Sequence, residues 1–116
     1  MRAKGTPARE LLALIANKWS TIVLYVLAQG TMRYLAIGRE VGGISQKMLT
    51  QTLQDLERSG LVSRQVYAVV PPRVEYSLTD LGQSLVPILG ALCAWCEGNA
   101  GSALEASAAY DRAQRR

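Results

Sequence analysis

Residues 42–61, GGISQKMLTQTLQDLERSGL, leave this chain few ways to fold. Ser45 is a strong N-cap, so Gln46, Lys47 and Met48 become the first three helical positions. Ile44 before the cap and Leu49 at the fourth helical position form a hydrophobic staple. Leu49, Leu53 and Leu56 then recur at i, i+4 and i+7 as one apolar stripe. Gly60 stops the helix. The face opposite the stripe carries Lys47, Gln51, Gln54 and Arg58, with Thr50 beside them. Gln46 lies at the helix start, next to the free N–H groups. Upstream, Gly42-Gly43 supplies a tight turn, because glycine tolerates positive φ. A helix so clearly capped and two-faced must lay its leucines on a core and leave the other side to water or a partner.

The remaining elements surround it. ARELLALIANKW, residues 8–19, reads as a first helix with Ala8, Leu11, Leu12, Ile15 and Trp19 on one face. A second helix covers Ser20 to Leu27 and ends near Gly30; a short third runs from Met32 to Val41, with Leu35, Ala36 and Ile37 as its apolar contacts. Leu61–Ala68 and Arg73–Leu78 are β-prone runs joined by a tip at 69–72. In the second run Val74, Tyr76 and Leu78 alternate with Arg73, Glu75 and Ser77, as in a half-buried strand. Pro71-Pro72 lacks two backbone donors and fixes two φ angles, which predicts a stiff tip that presents Arg73. Thr79 caps a long final helix striped by Leu81, Leu85, Ile88, Leu89, Leu92, Trp95 and Cys96, with Pro87 expected to kink it. Gly98 to Ser102 reads as a breaker. The expected organisation is therefore one domain over 1–98 and an Ala-rich tail or weak helix over 99–116.

Composition narrows the function. The chain has 116 residues, 49% apolar and 19% charged, as suits one globular domain. Its formal net charge is +4, and ten of its thirteen basic residues are Arg, which forks onto phosphate or guanine better than Lys. That balance points modestly toward nucleic acid. With no His, and no phosphate-cradling Gly loop, nucleophile elbow or carboxylate pair, the chain is not expected to be an enzyme or to hold a metal or cofactor. Apolar runs stop short of the roughly 18 residues of a membrane span. No secretory signal is visible in 1–10, so no membrane association and a cytoplasmic location are expected.

A short helix, a tight turn and a polar-faced helix make a helix-turn-helix pattern, and the hairpin after it makes the pattern winged. The expected fold is mainly α with a small β-hairpin wing. On this reading Lys47, Gln51 and Gln54, with Gln46 and Thr50, meet base edges in the major groove of double-stranded DNA. The Ser45-capped helix start faces a phosphate. Arg58 lies on the same helix face, Arg64 along the wing and Arg73 at its tip. The plainer alternative is a solvated helix face, with Arg64 and Arg73 pairing with Glu75 at the surface. A module that works through protein contacts is another reading, although Lys47, Arg64 and Arg73 argue against it. So is a receptor for a small-molecule effector, with Trp19, Tyr25, Met32, Tyr34 and Trp95 around a cavity, whose output is DNA binding.

The chain resembles the HxlR-type regulators, a branch of the MarR-like winged-helix proteins. The likeness rests on NKW (17–19), MRYL (32–35), GISQKMLTQTLQDLERSGLVSR (43–64), VPPRVEYSLTDLGQSL (70–85) and Pro87-Ile88-Leu89. It implies a homodimeric transcriptional regulator on a near-palindromic operator, paired through its first and last helices. Several members sense oxidants through a cysteine before the first helix; here that region, MRAKGTPARE, has none. The two cysteines, Cys93 and Cys96, have CxxC spacing on the last helix. They read chiefly as small apolar side chains at a dimer seam, with a thiol switch as the minor alternative. Glu97, the nearest charge, has the wrong sign to activate a thiol.

Overall fold

The computed structural model describes residues 5–115. Its elements are α1 (Pro7–Ile15), α2 (Lys18–Leu27), β1 (Met32–Arg33), α3 (Tyr34–Val41), α4 (Gln46–Arg58), β2 (Val62–Tyr67), β3 (Arg73–Leu78) and α5 (Asp80–Gln114). The chain forms two compact units that divide between Val86 and Pro87, inside α5. Among the described residues no single helix is long and apolar enough to cross a membrane.

The first unit is organised around α4. Leu49, Leu53 and Leu56 are buried, and α4 packs on α2, whose Val23, Leu24 and Leu27 are fully buried. Ile37 of α3, Leu61 in the turn after α4, and Val62 and Leu78 of the strands complete the core. Each buried Leu or Ile contributes about 1.5–3 kcal/mol. The expected caps are present. Ser45 Oγ accepts from the Met48 N–H at 3.1 Å. At the other end Leu61 N–H donates to Leu56 O at 3.1 Å and Gly60 N–H to Glu57 O at 3.0 Å. Gly60 has φ 79°, so these bonds form a Schellman motif that needs a residue without a Cβ.

The wing is antiparallel, with Val62 opposite Leu78 and Tyr67 opposite Arg73. Val62, Arg64, Val66, Val74, Tyr76 and Leu78 share one face of it; Ser63, Gln65, Tyr67, Arg73, Glu75 and Ser77 share the other. The Val70–Pro71 peptide bond in the tip is cis.

Three expectations are corrected. The first helix does not reach Trp19. It ends at Ile15, and Asn17 caps a new helix by accepting from the Trp19 and Ser20 N–H groups at 3.0 and 3.4 Å. The two helices meet at 75°; Asn competes for backbone donors and so favours caps over helix interiors. Met32 and Arg33 do not start the third helix. They form a short strand against Tyr76 and Glu75, so the sheet has three strands in the order β1-β3-β2. Finally, residues 98–102 do not break the last helix, which continues to Gln114. A helical Gly costs about 1 kcal/mol relative to Ala, and the Ala-rich sequence beyond it keeps the helix going. Asn99 adds a bond from its Nδ2 to Trp95 O at 2.8 Å.

A tight joint links α4, the wing and α5. Thr79 N–H donates to Leu61 O at 3.1 Å, and Thr79 Oγ1 donates to Gly60 O and accepts from Gly82 N–H. Gly82 lies so close that a Cβ there would overlap the Leu61 carbonyl oxygen. Backbone cannot yield as a flexible side chain can. Gly82→Ala is therefore expected to destabilise the fold by about 2–4 kcal/mol, read as a lowered urea midpoint; Gly90→Ala, which meets open space, should not lower it.

Candidate nucleic-acid interface

Burial of the leucine stripe turns the other side of α4 outward. Ser45, Gln46, Lys47, Thr50, Gln51, Gln54 and Arg58 are all exposed. Gln51 Nε2 donates to Asp55 Oδ1 at 2.9 Å, an i, i+4 pair along the exposed surface. Arg64, which leaves the wing on the side facing α4, joins Thr50, Gln54, Glu57 and Tyr76 around a groove of about 410 Å3. The fold thus gathers residues from α4 and the wing onto one surface.

Arg58 lies at the opposite end of α4 from Gln46 and Lys47. It lies in the last turn of α4, roughly 18 Å along the axis from Gln46 at 1.5 Å per residue. There it lines a different groove, with Pro7, Glu10, Leu11 and Leu14 of α1. The helical angle alone put Arg58 with Lys47; distance along the axis separates them.

Arg73 also departs from expectation. Its guanidinium does not project from the tip but lies 4.2 Å from the ring centroid of Tyr67, its cross-strand partner. Its Nε is 3.4 Å from Glu75 Oε2. That Nε is buried and has no hydrogen bond of good geometry, so the Glu75 contact is Coulombic. With the Arg73 side chain 38% exposed, the pair contributes at most about 1 kcal/mol. The plainer reading of Arg73 as a partner of Glu75 describes this structure, whereas Arg64 makes no ion pair with Glu75.

Sequence reasoning named Tyr34 only as a residue around an effector cavity and missed its link to α4. The Tyr34 hydroxyl is 2.9 Å from both Gln46 O and Thr50 Oγ1. It thereby ties the first residue of α3 to the first turn of α4 and engages the Thr50 hydroxyl. Separations of 12 and 16 residues carry no periodic signal, so only the packing of α3 on α4 reveals the link. Among the described residues no group of His, Cys, Asp and Glu could hold a metal ion. Cys93 is half-buried and Cys96 exposed, both as free thiols in the second unit.

A short helix, a positive-φ Gly42-Gly43 turn, a polar-faced helix and a three-stranded wing define a winged helix-turn-helix protein. Residues 14–103 match the model of the HxlR-like helix-turn-helix family, and the chain belongs to that family. It is a transcriptional regulator of the helix-turn-helix class, as are its relatives. It is 44% identical over 97 residues to YtfH of Escherichia coli (strain K12), an uncharacterised HTH-type transcriptional regulator, covering 84% of this chain and 77% of that one. An uncharacterised HTH-type regulator of Methanothermobacter thermautotrophicus is 53% identical over 81 residues; the match spans 70% of this chain and 62% of that relative's length. Among solved structures, YtfH of Salmonella typhimurium superposes with a TM-score of 0.83 at 42% identity, covering 90% of this chain and 94% of that one. The redox regulator HypR in its oxidised form gives 0.75 at 41% identity, with 81% and 97% covered.

Removing the Tyr34 hydroxyl tests the tether. Tyr34→Phe is expected to cost about 1 kcal/mol of stability, measured by urea unfolding. Thr50→Val in the Tyr34→Phe background should add less than it does alone, because the two share one bond.

Proposed function

We propose that this regulator binds operator DNA as a homodimer, with α4 in the major groove and the wing on the adjacent minor groove or backbone. The observation that carries this reading is the exposed polar side of α4 with its cation Lys47, continued onto the wing by Arg64. Lys47 makes no ion pair among the described residues, so its charge is available to guanine or phosphate. Gln46, Gln51 and Gln54 offer the paired donor and acceptor that adenine requires. Arg73, held loosely by Glu75 and Tyr67, needs only a phosphate in place of the Glu75 carboxylate to join the interface.

Dimerisation follows from unburied apolar surface. α1 is amphipathic yet has no buried residue, and Leu11 and Leu12 are 41% and 48% exposed. On α5, Leu81, Ile88, Leu92 and Trp95 are all about half exposed or more. Such faces are unfavourable in water and are covered when two copies pair. A twofold would set the two α4 helices about 34 Å apart, which matches a near-palindromic operator. The protein would act without catalysis, in the cytoplasm.

A second reading adds thiol control. HypR is a redox regulator, and YodB of Bacillus subtilis has been solved in a diamide-treated form. Here Cys96 is exposed beside the apolar face of α5. Oxidation there would disturb pairing of the helices; diamide should then weaken the DNA complex of the native chain and leave Cys96→Ser unaffected.

The central test is a gel-shift titration with promoter DNA against random competitor, joined to light scattering. A mass of twice the 12.6 kDa chain and a competitor-resistant complex are expected. Lys47→Ala and Gln51→Ala should each cost about 1–3 kcal/mol of operator affinity. Unchanged footprints in both variants would remove α4 from the DNA contact.

A further inference from the structure

Two arginines outside the surface described above border both elements of the interface. Arg33 closes β1 opposite Glu75 and stands at the N-cap of α3, where its side chain makes no capping bond. Arg39 lies in the last turn of α3. Both are exposed. With Pro72, Val74 and Glu75 they line a groove of about 640 Å3 between α3 and the wing. Arg39 also borders a second groove, shared by α3 and the start of α4, together with Ile44 and Gln46. It therefore stands on the stretch of surface that leads from the wing tip to the start of α4.

The charge in this region is unbalanced. Its carboxylate, Glu75, is already engaged by Arg73 at 3.4 Å. Neither Arg33 nor Arg39 makes an ion pair among the described residues. Arg39 suits the negative end of the α3 dipole, but any cation would serve that end, and it gives no reason for a second guanidinium on the same groove. Two guanidiniums that share a concave surface, with the nearby acid occupied, attract a polyanion.

We propose that Arg33 and Arg39 clamp the DNA backbone between the groove entered by α4 and the groove entered by the wing, an inference that rests on the DNA-binding reading above. The strand that separates a major from a minor groove must cross the surface between the elements that enter them. Arg33 and Arg39 are separated by roughly 9 Å along α3 at 1.5 Å per residue, enough to meet more than one phosphate at one charge per about 3.4 Å of strand. Each guanidinium forks onto phosphate oxygens in bidentate geometry. Because phosphates are the same in every sequence, the clamp sets register and strength and leaves base choice to α4.

The test compares the native chain with Arg33→Gln/Arg39→Gln by fluorescence anisotropy. A promoter duplex and a random duplex of equal length are titrated between 50 and 200 mM salt. The double variant should bind both duplexes about tenfold more weakly at low salt, with the promoter-to-random ratio preserved. Its plot of log K against log salt should be shallower by roughly 2, near 0.9 per lost phosphate contact. Arg9→Gln on α1 should keep the native slope. Circular dichroism reports folding, and if the double variant unfolds, the single variants should each show about half the change in slope. A native slope in a folded double variant overturns the clamp while the DNA-binding reading stands. So does a loss confined to the promoter duplex, which would make these arginines base readers. Absence of salt-sensitive binding by the native chain overturns the DNA-binding reading and the clamp together.

Discussion

Burial of Leu49, Leu53 and Leu56 against α2 is the contact on which the rest of the molecule depends. A helix turns about 100° per residue, so burying one stripe leaves the rotation of α4 no freedom. Gln46, Lys47, Thr50, Gln51 and Gln54 are exposed because those three leucines are not. The stripe is worth several kcal/mol at about 1.5–3 per fully buried Leu, far more than any single polar contact on the outer face. The hydrogen bonds then refine what burial sets. Ser45 and Gly60 define where α4 begins and ends, and Tyr34 holds its first turn to α3.

The wing follows a different logic. Only Val62 and Leu78, at its base, are buried, so the hairpin is anchored at one end and extends into solvent. Its outer half is held by the cross-strand Arg73–Tyr67 stack and by the Arg73–Glu75 pair along β3. These are weak, at about 1 kcal/mol or less each, comparable with what a phosphate contact offers in exchange. An arginine held this way is placed in advance yet releasable. The base of the wing has no such freedom, because Gly82 lets the start of α5 press directly on the Leu61 carbonyl.

Elements with short-range chemical signals were legible in the sequence. α4 carried a cap, a staple, a stripe and a stop within twenty residues, and the hairpin carried alternation on both sides of a proline tip. Where signals conflicted, the reading failed. Ala8 to Trp19 keeps helical spacing across Asn17, but the asparagine side chain captures two N–H groups and begins a new helix. Met32 and Arg33 are too few to show strand alternation, and they become a strand only because β3 offers its free edge. Gly98 and Gly101 weakened a helix that its neighbours were able to sustain.

The amino-acid sequence by itself determined that this chain has a capped, two-faced helix behind a Gly-Gly turn, a hairpin after it and apolar stripes left over on the first and last helices. Those features depend on backbone preferences and residue spacing, which act over a few positions. Only the tertiary structure decided which polar residues share a surface: Arg64 with Thr50 and Gln54, Tyr34 with Gln46, Arg73 with Tyr67. Such meetings depend on how separate elements pack and on strand register. Neither leaves a periodic trace along the chain.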